Sequence, residues 1–458
     1  MITRRAGGST SNTASFNTAL STAAAAPEAD RSTAKSQLMR IVIVASNASR
    51  RFGGEAFIPF NYFRLLLARG EDVHLVAHAR NREELSHEFP HHADRLHFAP
   101  DTAFHRAMNR LSRVLPRRVA DITCGMLVHL STQVAQRRLI RDLMKRERVD
   151  VVHEPIPVSP KTPSLMYGLG TAVVVGPLNG GMEYPGAFQR EQDVLSVVAL
   201  RFGRFLARFA HAIFPGKLRA DVVLVANQRT RHALPKGVTG KVVELVENGV
   251  DFSIWRRGDK ADDRDETKVK FIFVGRLVDW KAVDIVIEAM ARLPDRASLA
   301  LEIVGDGPMR KSWEALAESR GVASQIAFSG WMPQEACAER MRASDALVLP
   351  SLFECGGAVV LEAMAMVLPV IATDWGGPID YLNSSCGILV KPDSREALIN
   401  GFAHAMSTLA TSAPLRCRLG QAGYERARDH FDWDRKIAQI LAVYRSAAAQ
   451  TAPGKSLR

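Results

Sequence analysis

Two cations and two carboxylates stand out by type and spacing. Gly275-Arg276-Leu277 is followed by Lys281, five positions after Arg276, so two positive groups can converge on a phosphate pair from one loop-to-helix turn. Further on, Glu354 and Glu362 lie eight apart around Cys355-Gly356-Gly357. Glu354 precedes a glycine-rich helix start, where the free N–H groups of Gly357, Ala358 and Val359 can bind an anion. Glu362, two turns on, can accept ribose hydroxyls. Together these groups suit the binding of a phosphate pair, because cations and a helix N-terminus stabilise negative charge.

Other groups are individually permissive. Gly53-Gly54-Glu55 follows a short apolar run, and paired glycines before a helix either admit a ligand to the backbone or make a plain turn. His153-Glu154-Pro155 and Gly176-Pro177-Leu178-Asn179-Gly180-Gly181 close two successive predicted strands. They put an imidazole, Asn179 and the flexible backbone of Gly180 and Gly181 at one rim, although a lone histidine such as His153 is also at home in a core. Gly305-Asp306-Gly307-Pro308 and Gly330-Trp331-Met332 end two later strands. No glycine motif has the dinucleotide spacing or the P-loop lysine. His87, His91, His92 and His97 lack metal-site spacing and read as a solvated loop.

A chain of 458 residues, 47% hydrophobic and 24% charged, can bury a large core. Its length allows about three domains. Apolar runs are too short for the roughly 20 residues of a membrane span. Five scattered cysteines argue against a disulfide framework and for a reducing cytoplasm. The net charge of +12 is concentrated: Phe104–Arg148 holds 11 basic residues against three acids, and Arg201–Arg219 holds five against none. One basic face, rather than a diffuse affinity for nucleic acid, follows from that distribution. Val194–Phe214 reads as a basic amphipathic helix with Arg201, Arg204 and Arg208, facing either the core or an anionic membrane surface.

Residues 1–38 are rich in Ser, Thr and Ala and are expected to be disordered, and either Met1 or Met39 can be the start. Beyond them, β-branched runs alternate with helical stretches in two series, an α/β pattern with parallel sheets. The boundaries predicted are an N-terminal Rossmann-like domain at 39–235, a C-terminal one at 236–430, a last helix at 431–446 and a flexible tail at 447–458. The join runs near Asn248-Gly249-Val250-Asp251 and the charged stretch Gly258–Lys268. Two doubly wound domains would then face one cleft, with ligands at the carboxyl ends of the strands.

In this order and spacing, Gly53-Gly54, Gly275-Arg276-Leu277 with Lys281, Gly305-Asp306-Gly307-Pro308 and the Glu354–Glu362 element resemble the group 1, or family 4, retaining glycosyltransferases. The runs 176–181 and 353–357 resemble a bacterial polysaccharide branch of that family. The resemblance implies a GT-B fold, with an N-terminal acceptor lobe, a C-terminal lobe for a UDP- or GDP-type nucleotide sugar, and a last helix that crosses back. It implies that Arg276 and Lys281 neutralise the leaving diphosphate, that Glu362 holds the ribose and that Glu354 contacts the donor sugar. Gly54 would shape the phosphate and acceptor side, Gly275 and Gly305 would belong to the donor site, His153 would lie by the donor sugar, and Trp331 and Met332 would place backbone near the base. No metal or cofactor is implied. Glu354 is also the one motif-borne carboxylate available as a nucleophile for a double displacement. The activity expected is retaining, metal-independent transfer to a saccharide or lipid-linked acceptor, in a cytoplasmic protein peripheral to the inner face of the membrane. A nucleotide-sugar epimerase of the same fold and a non-catalytic nucleotide-sugar-binding protein are the alternatives.

Overall fold

β-branched strands that are apolar on both faces need cover on both sides, and this sequence supplies it twice. The computed structural model describes residues 38–51, 54–115, 117–191, 210–258, 268–294 and 298–451. Both sheets belong to the unit Met39–Arg458. The first sheet contains β1 (Arg40–Val44), β2 (Asp72–His78), β3 (Leu96–Ala99), β4 (Val151–Glu154), β5 (Ala172–Leu178), β6 (Val222–Val225) and β7 (Lys241–Glu244). All pairs are parallel, in the order β3-β2-β1-β4-β5-β6-β7. The second contains β8 (Val269–Val274), β9 (Leu299–Val304), β10 (Ile326–Gly330), β11 (Ala346–Leu349), β12 (Val370–Thr373) and β13 (Gly387–Val390). It too is parallel, ordered β10-β9-β8-β11-β12-β13.

Side-chain alternation along β1 shows how the first sheet is held. Ile41 and Ile43 enter one core layer, with Phe60, Phe63 and Leu66 of the helix Gly54–Ala68. Val42 and Val44 enter the opposite layer, with Ile140 of the helix Met126–Arg146. Each such side chain, fully buried, contributes on the order of 1.5–3 kcal/mol. The final helix, Trp433–Thr451, belongs to the first lobe's core through Trp433, Ile437, Ile440 and Tyr444. A chain that leaves the second lobe therefore ends packed on the first.

Both sheets reverse direction of growth once, between β1 and β4 and between β8 and β11. The loops leaving those four strands must line a crevice, because neighbouring connections there depart to opposite faces. They are the loops of Gly54, of Glu154–Val158, of Gly275-Arg276 and of Pro350–Gly357.

Several boundaries differ from the sequence reading. Lys241–Glu244 pairs with β6, from Val222↔Lys241 to Val225↔Glu244, so the first lobe extends past residue 235. This short edge strand has charged ends and only two valines, which hides it from a hydrophobic pattern. The last helix runs from Trp433 to Thr451, so residues 447–451 are helical rather than tail. The histidines predicted to share a loop are distributed over structure: His87 in the helix Arg82–Glu88, His91 and His92 in a 3-10 turn, and His97 on β3. His97 meets His74 of β2 at 3.0 Å. Residues 1–37 and Arg201, Arg204 and Arg208 lie outside the described residues.

Candidate active site

The loops at the two switch points enclose a cleft of about 730 Å³. Its second-lobe wall begins at Gly275, where β8 ends. A Cβ at Gly305, whose φ is +138°, would stand 1.9 Å from the Gly275 carbonyl oxygen, so the β8 and β9 loops can touch here only with glycine at 305. That contact sets the path of Arg276 and Lys281, both of which line the cleft. Arg276 is exposed and has no ion-pair partner among the described residues. Lys281 Nζ pairs with Glu354 Oε2.

Gly357 adopts the left-handed conformation (φ +79°, ψ +53°) directly before the helix Ala358–Ala365. This residue lets the loop turn sharply from Glu354 into the helix, leaving the N–H groups of Ala358 and Val359 at the cleft wall. Glu362 is half-buried one turn further on and also lines the cleft. Burial pushes its carboxyl up to about 8. Trp331, 65% exposed, and Met332 line the cavity together with Glu362 and Cys337. A second hollow of about 450 Å³ opens beyond Trp331 toward Arg50, Phe57 and Trp255.

From the first lobe, Gly54 and Glu55 start the helix that faces the cleft. Glu55 Oε1 accepts the N–H of Val158 at 2.8 Å, tying the β1 and β4 loops together. Asn179 Nδ2 spans the lobes, donating to Glu247 Oε1 at 2.5 Å and to the Cys355 carbonyl at 2.8 Å. Arg64–Asp251 at 2.5 Å, Arg229–Asp380 at 3.2 Å and Trp375 Nε1 to the Glu183 carbonyl at 2.8 Å also join them.

The structure thus gathers Gly54, Asn179, Gly275, Arg276, Lys281, Gly305, Trp331, Met332, Glu354, Gly357, Ala358, Val359 and Glu362 around one cavity. Three other expected residues lie elsewhere. His153 is fully buried, with Nε2 on the Gly176 carbonyl and Nδ1 on the Tyr444 hydroxyl, each at 2.5 Å. Burial holds it down at about 4, so it is a neutral imidazole joining β4, β5 and the last helix, away from the cleft lining. Gly180 and Gly181 serve close packing, since added Cβ atoms would come within 2.6 Å of Pro160 Cδ and 2.8 Å of the Arg229 carbonyl. Glu55, Glu247 and Asn248 line the cleft without having been singled out as site residues. A glutamate directly after paired glycines was the available signal for Glu55; Glu247 offered none.

Away from the cleft, His78, Asp101 and His105 bring one potential ligand atom each within 4.8 Å of one another. His78 Nδ1 accepts the Arg80 N–H at 3.2 Å, which leaves the proton on Nε2 and disfavours that atom as a metal ligand. Of two Asp-x-Asp triplets, Asp432-Trp433-Asp434 caps the last helix, Asp434 N–H donating to Asp432 Oδ1 at 3.0 Å, and Asp263-Arg264-Asp265 lies outside the described residues.

Residues 257–426 match the family described as glycosyl transferases group 1. The D-inositol 3-phosphate glycosyltransferase of Kribbella flavida is 31% identical over 246 residues, 50% of this chain and 57% of that protein. The chain spans about half the length of the curated relatives it matches. Sucrose-phosphate synthase from Thermosynechococcus elongatus superposes with a TM-score of 0.62 at 18% identity, covering 90% of this chain and 100% of that one. HepE of Anabaena, solved with UDP, superposes with a TM-score of 0.60 at 16% identity, covering 89% and 100%. Residues 257–426, which carry the cationic pair and the two spaced carboxylates, are similar to the group 1 glycosyl transferases, and the two doubly wound sheets facing one crevice give the chain the GT-B fold.

Proposed function

We propose that this protein transfers a sugar from a nucleotide-diphosphate sugar to a saccharide or lipid-linked acceptor, with retention and without a metal. The observation that carries this reading is the convergence of Arg276, Lys281 and the N-terminus of the helix Ala358–Ala365 on one cleft. Two cations and the N–H groups of the first helical turn supply the charge stabilisation that a leaving diphosphate needs. The nucleoside would lie by Trp331 and Met332 with its ribose on Glu362, and the sugar by Glu354. Retention follows if the acceptor hydroxyl attacks from the face the diphosphate leaves, its proton passing to the departing phosphate oxygen. Glu354 is engaged with Lys281, which favours a binding role over that of a nucleophile.

The donor is of UDP or GDP type in this reading; HepE, a structural neighbour, was solved with UDP. An epimerase would need a further acid/base pair, and His153 is not placed to supply it. A non-catalytic binding protein would have no need of the complete cationic and acidic sets.

A lipid-linked acceptor is supported by the first lobe's surface. Phe104, Leu111 and Leu127 stand 42%, 44% and 48% exposed on the helices Ala103–Ser112 and Met126–Arg146, amid the basic run 104–148. Exposed apolar groups among arginines suit an anionic bilayer surface. No helix among the described residues is long and apolar enough to cross a membrane.

The test is calorimetric titration of the full chain with UDP, GDP and ADP in the absence of magnesium, beside Arg276→Ala and Glu362→Ala. Selective binding of one nucleotide, weakened in both variants, is expected. A folded protein that binds none of the three would overturn the reading.

A further inference from the structure

Glu247 is a buried carboxyl in the cleft wall to which the nucleotide-sugar reading assigns no task. It follows β7, is 4% exposed, and shares the cavity with Glu354, Cys355 and Gly356. Two amide donors converge on one of its oxygens: Asn179 Nδ2 at 2.5 Å and Asn248 Nδ2 at 3.1 Å both reach Oε1. Each amide is anchored a second time, Asn179 to the Cys355 carbonyl at 2.8 Å and Asn248 to the Tyr381 hydroxyl at 3.1 Å. From behind, Lys436 Nζ donates to the Glu247 backbone carbonyl. The carboxyl plane is therefore held from several sides, its own backbone N–H included, and no other side chain among the described residues donates to Oε2.

The neighbouring loop restricts what can meet that oxygen. A Cβ on Gly356 would stand 2.4 Å from both Glu247 Oε1 and Asn248 Nδ2, so the loop between Glu354 and Gly357 lies directly against this carboxyl. In the nucleotide-sugar reading Arg276 and Lys281 take the diphosphate and Trp331 and Glu362 the nucleoside, all four lining the same cavity. A carboxyl next to the Glu354 loop is poorly suited to a phosphate, which presents only acceptors, and well suited to neutral hydroxyls, which donate and accept. Burial raises the Glu247 carboxyl and lowers the Lys436 ammonium, as expected of groups withdrawn from water.

We propose that Glu247 is a second sugar-binding carboxyl, whose Oε2 hydrogen-bonds a hydroxyl of the transferred sugar and helps decide which sugar the cleft accepts. The inference rests on the nucleotide-sugar reading of the cleft. A sugar lacking that hydroxyl, or presenting it in the other configuration, leaves a desolvated carboxyl oxygen unpaired and is disfavoured about ten- to hundredfold.

The experiment compares wild type, Glu247→Gln and Glu247→Ala in calorimetric titrations of the full chain with UDP and GDP and with UDP-glucose, UDP-galactose, UDP-N-acetylglucosamine and GDP-mannose. The quantity read is the ratio of nucleotide-sugar to bare-nucleotide affinity. The expected result is that bare-nucleotide affinity stays within about twofold in Glu247→Gln, while the ratio for the preferred sugar falls about ten- to hundredfold or the preference moves to another sugar. An unchanged ratio and preference in Glu247→Gln would overturn the inference while leaving the donor site standing. So would an equal loss of bare-nucleotide and nucleotide-sugar affinity in both variants, which is the result if Glu247 only supports the Gly356 loop. Failure of the wild type to bind either nucleotide would overturn the donor-site reading and this inference with it.

Discussion

Lys281 and Glu354, 73 residues apart in the chain, meet as an ion pair in the cleft wall with side chains only 15% and 14% exposed. The pair joins the loop after β8 to the loop after β11. A diphosphate entering here would compete with Glu354 for the same ammonium. Glu354→Gln should therefore bind the bare nucleotide several-fold more tightly while losing most sugar transfer. Lys281→Ala should weaken nucleotide binding by about ten- to hundredfold, in line with the loss of a charge-assisted hydrogen bond. Calorimetry and a transfer assay on the two variants check the opposed directions.

Arg276 has no ion-pair partner among the described residues and is exposed to the cleft. Its removal should leave thermal stability unchanged, as for most exposed positions, and cut turnover by about 10²–10³. A melting curve beside steady-state kinetics separates the two effects.

Gly305→Ala would place a methyl group 1.9 Å from the Gly275 carbonyl oxygen at a φ of +138°. Neither partner is a side chain that can swing aside, so the two loops must separate. A stability loss of at least about 2 kcal/mol and a drop in nucleotide affinity are expected together. Denaturant unfolding and calorimetry provide the readouts.

Glu362 gives a pH signature. Its folded carboxyl is raised by burial from 4.5 to about 8. Below the unfolded value both states hold the proton, and the shift has no effect on stability. Between the two values the unfolded chain ionises while the native carboxyl stays neutral, so this group lowers stability as pH rises, with the full effect reached above about 8. The melting temperature of Glu362→Gln minus that of wild type should increase between pH 5 and pH 8, by at least about 2 °C. A flat difference across that range would rule out the buried neutral carboxyl.

His153 and Tyr444 test the separation of scaffold from site. Tyr444→Phe removes the hydroxyl that satisfies His153 Nδ1 in a fully buried position. A stability loss of about 1–3 kcal/mol with little change in turnover is expected. Comparison of unfolding free energy with kcat checks it.

Much of the architecture was legible because short-range rules decide it. Runs such as Ile41-Val42-Ile43-Val44 and Phe271-Ile272-Phe273-Val274 are apolar on both faces, which fits parallel strands covered on both sides. Gly357 before the helix Ala358–Ala365 likewise marks a turn whose backbone few other residues can adopt. Edge strands were harder: β7, with glutamate and lysine at its ends, is recognised only through its pairing with β6. The last helix carries its own periodicity, but its packing against β5, β4 and the helix Gly54–Ala68 of the first lobe is a long-range fact.

The sequence by itself determined the two doubly wound sheets and four ionisable groups of the cleft, since strand pattern, glycine turns and the Arg276, Lys281, Glu354 and Glu362 set are local in the chain. Only the tertiary structure decided that His153 is sealed beneath Tyr444 and that Glu247 reaches the cleft. The physical reason is that burial and hydrogen-bond satisfaction depend on what the rest of the fold places around a group. Residue type records what a side chain can do; its neighbours, brought from 176 positions away in the case of Asn179 and Cys355, decide what it does.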